Sequence, residues 1–330
     1  MAGLSLFGGL AEKASAVKIE GINFSSGFNY ALPFSQTRNF TDNDINVPIV
    51  LVTDTTYDTS ILSLNGKCKF MLNEGWCISL EELLDINSGS LARTFGWTAG
   101  SANGSYSDSQ NYLKLAFGKE IDAENCKLFP YGGFAAISEA EREKINENFE
   151  DYNLYLVNTE RVRNTGGLGF LIGIKAESDR LNDWIFKGAI ERAFHLNGKR
   201  TFRSDSEISN VIRGYNVSSD GWNISVQVSK QIDYNKLIEE IFGEIEFRER
   251  SSNINQTSTN EASSQVYENY NENRTDLTVS SWVRFKSGLE AGLGIGSRGR
   301  DSKGTLIEKT LSRPYIFIRA NYRRNFDLKK

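Results

Sequence analysis

The chain has 330 residues, and its 38 Lys and Arg against 42 Asp and Glu give a formal net charge of −4, without the positive excess that a nucleic-acid binder needs. Gly is abundant at 29, Tyr and Phe number 13 and 20, and Pro is scarce at 4, a balance suited to long hydrogen-bonded strands. No window approaches about eighteen uninterrupted apolar residues, which excludes a transmembrane helix. A transmembrane barrel stays open, because its strands alternate lipid-facing and lumen-facing residues and tolerate a mean hydropathy of −0.41.

At the N-terminus, residues 2–11 form a short, mostly apolar run, and Ala14-Ser15-Ala16 has the small-x-small form of a signal-peptidase site. No Lys or Arg precedes the run, so the expectation is a short amphipathic segment that stays on the chain, with a cleaved signal peptide as the alternative. Residues 17–52 show broken apolar pieces. Strands over 61–64 and 67–72 flank Asn65-Gly66, a pair that tolerates positive φ in a type I′ turn and predicts a hairpin there. Ser79 with Glu82 reads as a capping box, Leu80, Leu83 and Leu84 make one stripe, and Gly89 follows, predicting a short helix over 79–88. The polar stretch 98–110 reads as a loop and divides the chain into a β-rich segment, 1–110, and a barrel or sheet domain, 111–330.

Beyond it, strands recur every ten to twenty residues or so, the rhythm of an antiparallel meander. Leu113, Leu115 and Phe117 alternate with Tyr112, Lys114 and Ala116, and 129–137 is a second candidate. Ser138 with Glu141 opens a polar helical stretch to about residue 149, too poor in apolar positions for a core helix and placed as a surface excursion. Strands follow over 168–176, 184–196 and 222–229, and 237–250 continues them, with 237–242 equally compatible with a helical stripe. Residues 251–273 lack periodicity and read as a large mobile loop.

The cleanest alternation comes last. Leu277, Val279, Ser281, Val283 and Phe285 share one face, Lys286-Ser287-Gly288 turns the chain, and Leu289, Ala291, Leu293 and Ile295 resume that face opposite Glu290, Gly292, Gly294 and Gly296. A closing strand carries Ile316, Ile318, Ala320, Tyr322 and Phe326 on one parity and Arg319, Asn321 and Arg323 on the other.

Chemistry is sparse. The single histidine, His195, has no identifiable nucleophile or orienting partner, and Cys68, Cys77 and Cys126 lack the close spacing of zinc ligands, although Cys68 and Cys77 could pair across a hairpin. The odd thiol count fits a reducing compartment. Residues 294–299 satisfy Gly-x-Gly-x-x-Gly, but a turn sequence follows where a pyrophosphate site needs a helix N-terminus, so these glycines read as the small-residue face of a strand. No catalytic, cofactor or metal residues are assigned. Arg284, Arg298, Arg319, Asn321 and Arg323 fall on the polar parity and are the candidate pore-lining set if the sheet closes, while a solvated outer face is the other reading.

The terminal strand, with its alternate apolar positions, Tyr322 and near-terminal Phe326, and the hairpin before it resemble the closing strands of Gram-negative outer-membrane β-barrels such as porins and autotransporter translocators. The resemblance covers residues 111–326; Asp327 to Lys330 extend past the Phe and Arg324 interrupts the apolar parity. It implies a mainly β, closed up-and-down antiparallel barrel with long polar loops and one or two short helices, in the cell outer membrane, with lipid around it and small polar solutes passing through or binding inside. The rival expectation is a soluble β-rich structural subunit of a virion or phage tail that uses its amphipathic hairpins for self-association.

Overall fold

A computed structural model describes residues 18–42, 51–95, 100–149, 154–206, 210–232, 237–260, 269–304 and 306–328. The strands are β1 (Ile19–Asp42), β2 (Leu51–Leu72), β3 (Trp76–Phe95), β4 (Gly100–Lys119), β5 (Ile121–Ala123), β6 (Cys126–Phe149), β7 (Leu154–Ser178), β8 (Trp184–Ser206), β9 (Asn210–Gln231), β10 (Ile238–Thr259), β11 (Asn269–Phe285), β12 (Leu289–Gly304), β13 (Leu306–Ser312) and β14 (Tyr315–Asp327). Each long strand pairs antiparallel with its sequence neighbours, and β14 returns to β1 from Gly21↔Asp327 to Ala31↔Phe317, closing the sheet into a barrel. Closure leaves no long edge strand to recruit another chain. β13 and β14 share the place between β12 and β1, separated at Arg313-Pro314, where proline has no N–H for the ladder. Among the described residues the wall is therefore twelve strands around, with β5 adding a short hairpin to β6.

The connections from β2 to β3, β4 to β6, β7 to β8, β9 to β10 and β11 to β12 lie at one end, as do the start of β1 and the end of β14. At this short-turn end the wall is apolar outside: Phe24, Leu80, Leu115, Phe134, Ile172, Phe186, Val226, Ile245, Val279, Leu293 and Ile318 all point outward and are exposed. This belt occupies only the near part of each strand, as in 113–117 of β4, 241–247 of β10 and 289–295 of β12. Further along the outer face turns polar; on β4 it reads Ser101, Asn103, Ser105 and Ser107. Strands of 20 to 25 residues, tilted as barrels require, stand roughly 50–60 Å tall, about twice the height of the belt.

Inward packing is carried by aromatic side chains laid against small ones. Phe317 and Tyr315 of β14 face Gly294 and Gly296 of β12 in direct register. A Cβ on either glycine would lie 2.5 Å from the facing ring, so the Gly-x-Gly string is a strand face that admits two rings, with Ala31, Phe34 and Ile61 completing the cluster.

Several expectations are corrected. No turn occurs at Asn65-Gly66; Asn65 pairs with Gly27 and Leu83 inside β2, and the chain reverses at residues 73–75, with Glu74 and Gly75 at φ 60° and 75°. The expected helix over 79–88 lies in β3, where Leu80 and Leu84 face out while Leu83 faces in, and the expected helical stretch 138–149 lies in β6. No α-helix occurs among the described residues. Most of the expected loop 251–273 is also strand, since β10 runs to Thr259 and β11 starts at Asn269 with Ser251 opposite Asn273; residues 261–268 lie outside the described set. The boundary expected at 110/111 falls inside β4, and strands from both sides join the one sheet. Residues 237–242 contribute to β10 as strand from Ile238. The ambiguous segment 1–17 lies outside the described residues.

Candidate functional site

Inside the barrel the alternation that sends apolar groups outward sends charge inward. Beyond the belt, toward the far end, the lumen is crossed by one connected set of ion pairs. Arg300 Nη1 of β12 lies 3.2 Å from Glu141 Oε2 of β6, and its Nη2 lies 2.7 Å from Glu272 Oε2 of β11. Glu272 also takes Arg200 of β8 at 3.1 Å and Arg274 at 2.7 Å. Arg274 reaches Glu139 of β6 at 3.1 Å, Arg250 pairs with the same carboxylate, and Arg163 of β7 meets Glu141 at 3.0 Å. Arg200 and Glu272 are each 1% exposed. Burial opposes ionisation of Glu272, yet the guanidinium groups of Arg274, Arg300 and Arg200 hold its carboxyl well below the usual range. Burial also opposes ionisation of Glu139, and Arg250 and Arg274 bring it below its ordinary value. Asp108 goes the other way: burial, then the nearby Glu141, push it up to about 6.

Nearer the short turns, Lys114 of β4 lies 2.7 Å from both Glu81 of β3 and Glu191 of β8, Lys67 of β2 pairs with Glu81, and Lys175 of β7 approaches Glu81 at 3.6 Å. Tyr131 donates its hydroxyl to Glu191 at 2.8 Å. On the other side Arg248 pairs with Glu246 at 2.8 Å, and Arg298 joins Asp85 at 2.9 Å to Asp276 at 3.3 Å. Between these groups and the arginine layer lies a cavity of about 360 Å³.

Of the five candidate pore-lining residues, Arg284, Arg298, Arg319 and Asn321 face inward, engaged with carboxylates. Arg284 pairs with Glu240 and Glu290, Arg319 with Glu244 at 3.2 Å while stacking over Trp282, and Asn321 donates to Glu290 at 3.4 Å. Arg323 shares their parity but is exposed at the end of the barrel, its backbone N–H bonded to Gly288. Sequence reasoning missed the denser layer of Arg163, Arg200, Arg250, Arg274, Arg300, Glu139, Glu141 and Glu272. The parity was present, since Arg274 and Glu272 continue the inward face of Arg284, Trp282 and Ser280.

His195 sits at a bulge in β8 with φ 53°, its backbone N–H bonded to Asp220 at 3.0 Å. Cys68 faces outward and Cys77 inward, so the two thiols, on opposite faces of the sheet, are both free. Among the described residues no group of His, Cys, Asp and Glu has the arrangement to hold a metal ion.

No protein-family model matches the chain, and no curated protein matches it in sequence. Solved structures similar in outline include the outer membrane protease OmpT from Escherichia coli, at 8% identity over 92% of this chain and 97% of that one with a TM-score of 0.48. The transport unit of the autotransporter AIDA-I from Escherichia coli is similar at 11% identity over 92% and 90%, TM-score 0.45. The P. putida toluene transporter TodX is similar at 8% over 93% and 90%, TM-score 0.41. The strand pairing carries the barrel assignment without them.

Proposed function

We propose that the chain is an outer-membrane β-barrel that spans the bilayer through its short-turn half and binds a small polar solute in the lumen. The observation that carries this reading is the inversion of the usual soluble pattern. Leu168 and Leu293 are 61% and 64% exposed on the outside while Arg200 and Glu272 are 1% exposed within. In water an apolar belt of this extent is an aggregation liability; in a bilayer it is the required surface. Trp76 and Trp184 lie at the short-turn edge, each with a lysine (Lys119, Lys230) 5.6 Å from its ring, the amphipathic pairing suited to a headgroup layer.

Binding is favoured over free passage because ion pairs cross the lumen between opposite strands, and a cavity of about 360 Å³ beneath them falls within the range of small-molecule sites. Lys67, Lys114, Arg248 and Arg250 then serve as walls of a solute site and not as the lining of an open channel.

Reconstitution in planar bilayers tests both parts. The expected result is stable insertion with little steady conductance. Steady ohmic channels would overturn the binding reading in favour of a pore, and recovery of the full chain as a stable, monodisperse species without detergent would overturn the membrane barrel in favour of a soluble structural subunit.

A further inference from the structure

A carboxylate stands at mid-depth of the apolar belt. On β3 the outward side chains run Ile78, Leu80, Glu82, Leu84 and Ile86, so Glu82 is exposed at the middle of that strand's lipid-facing segment. Its register partners are Gly66 of β2 and Leu113 of β4, and Gly66 pairs in turn with Ser26 of β1. The row Ser26, Gly66, Glu82 is therefore small or polar, whereas the rows on either side of it, Phe24, Cys68, Leu80 and Phe28, Leu64, Leu84, carry apolar bulk. A Cβ at Gly66 would meet no atom within 4 Å, so the wall is notched beside the carboxylate.

Hydrocarbon offers a carboxylate no donor, and an ionisable side chain at that depth needs a protein partner. Within the chain Glu82 has Asn111 of β4, whose Nδ2 donates to its Oε1 at 3.3 Å, while Asn111 Oδ1 is buried without a partner. A carboxylate and an amide this close together are complementary to their own image. A twofold axis beside them sets the carboxylate of each copy against the amide of the other, so that both groups gain a second bond. The same axis turns the Leu113 side of each copy toward the Gly66 side of the other, bringing an exposed leucine to the notch. Close approach at small residues and hydrogen bonds between polar ones are what hold proteins together in a bilayer.

Building on the membrane-barrel reading above, we propose that the outer face of β1 to β4 is the interface of a symmetric dimer in the bilayer, with Glu82 and Asn111 of two copies bonded reciprocally.

Oxidative cross-linking of the full chain in phosphatidylcholine vesicles tests this, with the parent and its native cysteines as the background. Leu113→Cys, beside Glu82, should form a disulfide-linked dimer at least about tenfold faster than Ile245→Cys on the far side of the barrel. Adding Glu82→Leu to Leu113→Cys should slow the reaction about tenfold although the belt becomes more apolar, and adding Ser281→Leu, an outward polar-to-apolar change on β11, should not. Heat-modifiable gel mobility checks that each variant is folded. Folded Leu113→Cys chains that cross-link no faster than Ile245→Cys chains, or a Glu82→Leu change without effect, would overturn the dimer and leave the barrel standing. Recovery of the chain as a stable species without detergent or lipid would overturn both.

Discussion

Arg300 on β12 and Glu141 on β6 approach to 3.2 Å although five strands lie between them in either direction around the wall. The pair therefore spans the lumen along a diameter, and through Glu272 and Arg274 it is tied to Glu139, which Arg250 also holds. Such a strut opposes ovalisation of the wall, and each member depends on the others for its counter-charge.

Removing a shared carboxylate should accordingly cost more than removing a surface one. Glu272→Ala leaves Arg200, Arg274 and Arg300 without their common partner, and loss of about 3–5 kcal/mol of stability is expected for breaking a buried pair. Urea unfolding in detergent, followed by tryptophan fluorescence, reads this directly. A loss below about 1 kcal/mol, the value of an exposed pair, would show that the layer is solvated.

The same layer should give stability two opposed pH dependences. Glu272 and Glu139 are held below their unfolded values, so their contribution is present above the ordinary carboxylate range near pH 4.5 and is lost as pH falls through their lowered folded values. Asp108 is raised from 3.8 to about 6, so its protonated form is favoured in the folded state. Its contribution declines as pH rises from about 4 to about 6 and stays unfavourable above. Asp108→Asn should therefore raise the urea midpoint at pH 7.5 and have little effect at pH 4. An unchanged midpoint at pH 7.5 would contradict the assignment.

At the turn between β11 and β12, Gly288 adopts φ 87°, and a Cβ there would lie 2.2 Å from the carbonyl oxygen of Arg323. Gly288→Ala combines a left-handed backbone with a clash against main chain that cannot rotate away. A destabilisation above about 1 kcal/mol is expected, with slower refolding into micelles.

Ile318 and Arg319 on β14 separate the two media by one residue. Ile318→Arg puts a guanidinium on the apolar belt and should cost about 2–4 kcal/mol in a bilayer. Arg319→Lys keeps the charge near Glu244 on the inner face and loses only the planar group over Trp282, 4.9 Å away, so it should leave the folded fraction nearly unchanged. Measurement of folded fraction by heat-modifiable gel mobility distinguishes the two effects; equal loss of folding in both would remove the inside/outside distinction.

The sequence was most legible where one face of a strand meets an apolar medium and the other meets charge. Residues 277–285, 289–295 and 316–326 lie in the belt, and their alternation predicted the two faces, the turn and the hairpin correctly, leaving open which face was inside. It was least legible in the half beyond, where both faces are polar. Glu139, Glu141 and Glu143 point inward and Arg142 and Lys144 outward, so this stretch carries little contrast of hydrophobicity although 138–146 alternates strictly in burial. Residues 251–259 and 100–110 failed for the same reason. The helix expected over 79–88 has a different cause: Leu83 faces inward between outward Leu80 and Leu84, and that one inward leucine imitates a helical stripe. For the site, parity grouped the arginines of the last strands on one face without saying which side that face took, and their partners on β3 and β10 were not found, because register across distant strands is absent from any local window.

The height of the wall has a consequence for what can govern events at its far rim. Subtracting an apolar belt of about 25 Å and its headgroup margin from a tube of 50–60 Å leaves the far ends of the described strands about 20 Å above the lipid surface. The Debye length at physiological salt is about 8 Å, so charge on the lipids is screened out well below that height. The far rim is thus insulated from lipid composition, and a change of headgroup would alter how the tube is anchored without altering the electrostatic field at its mouth.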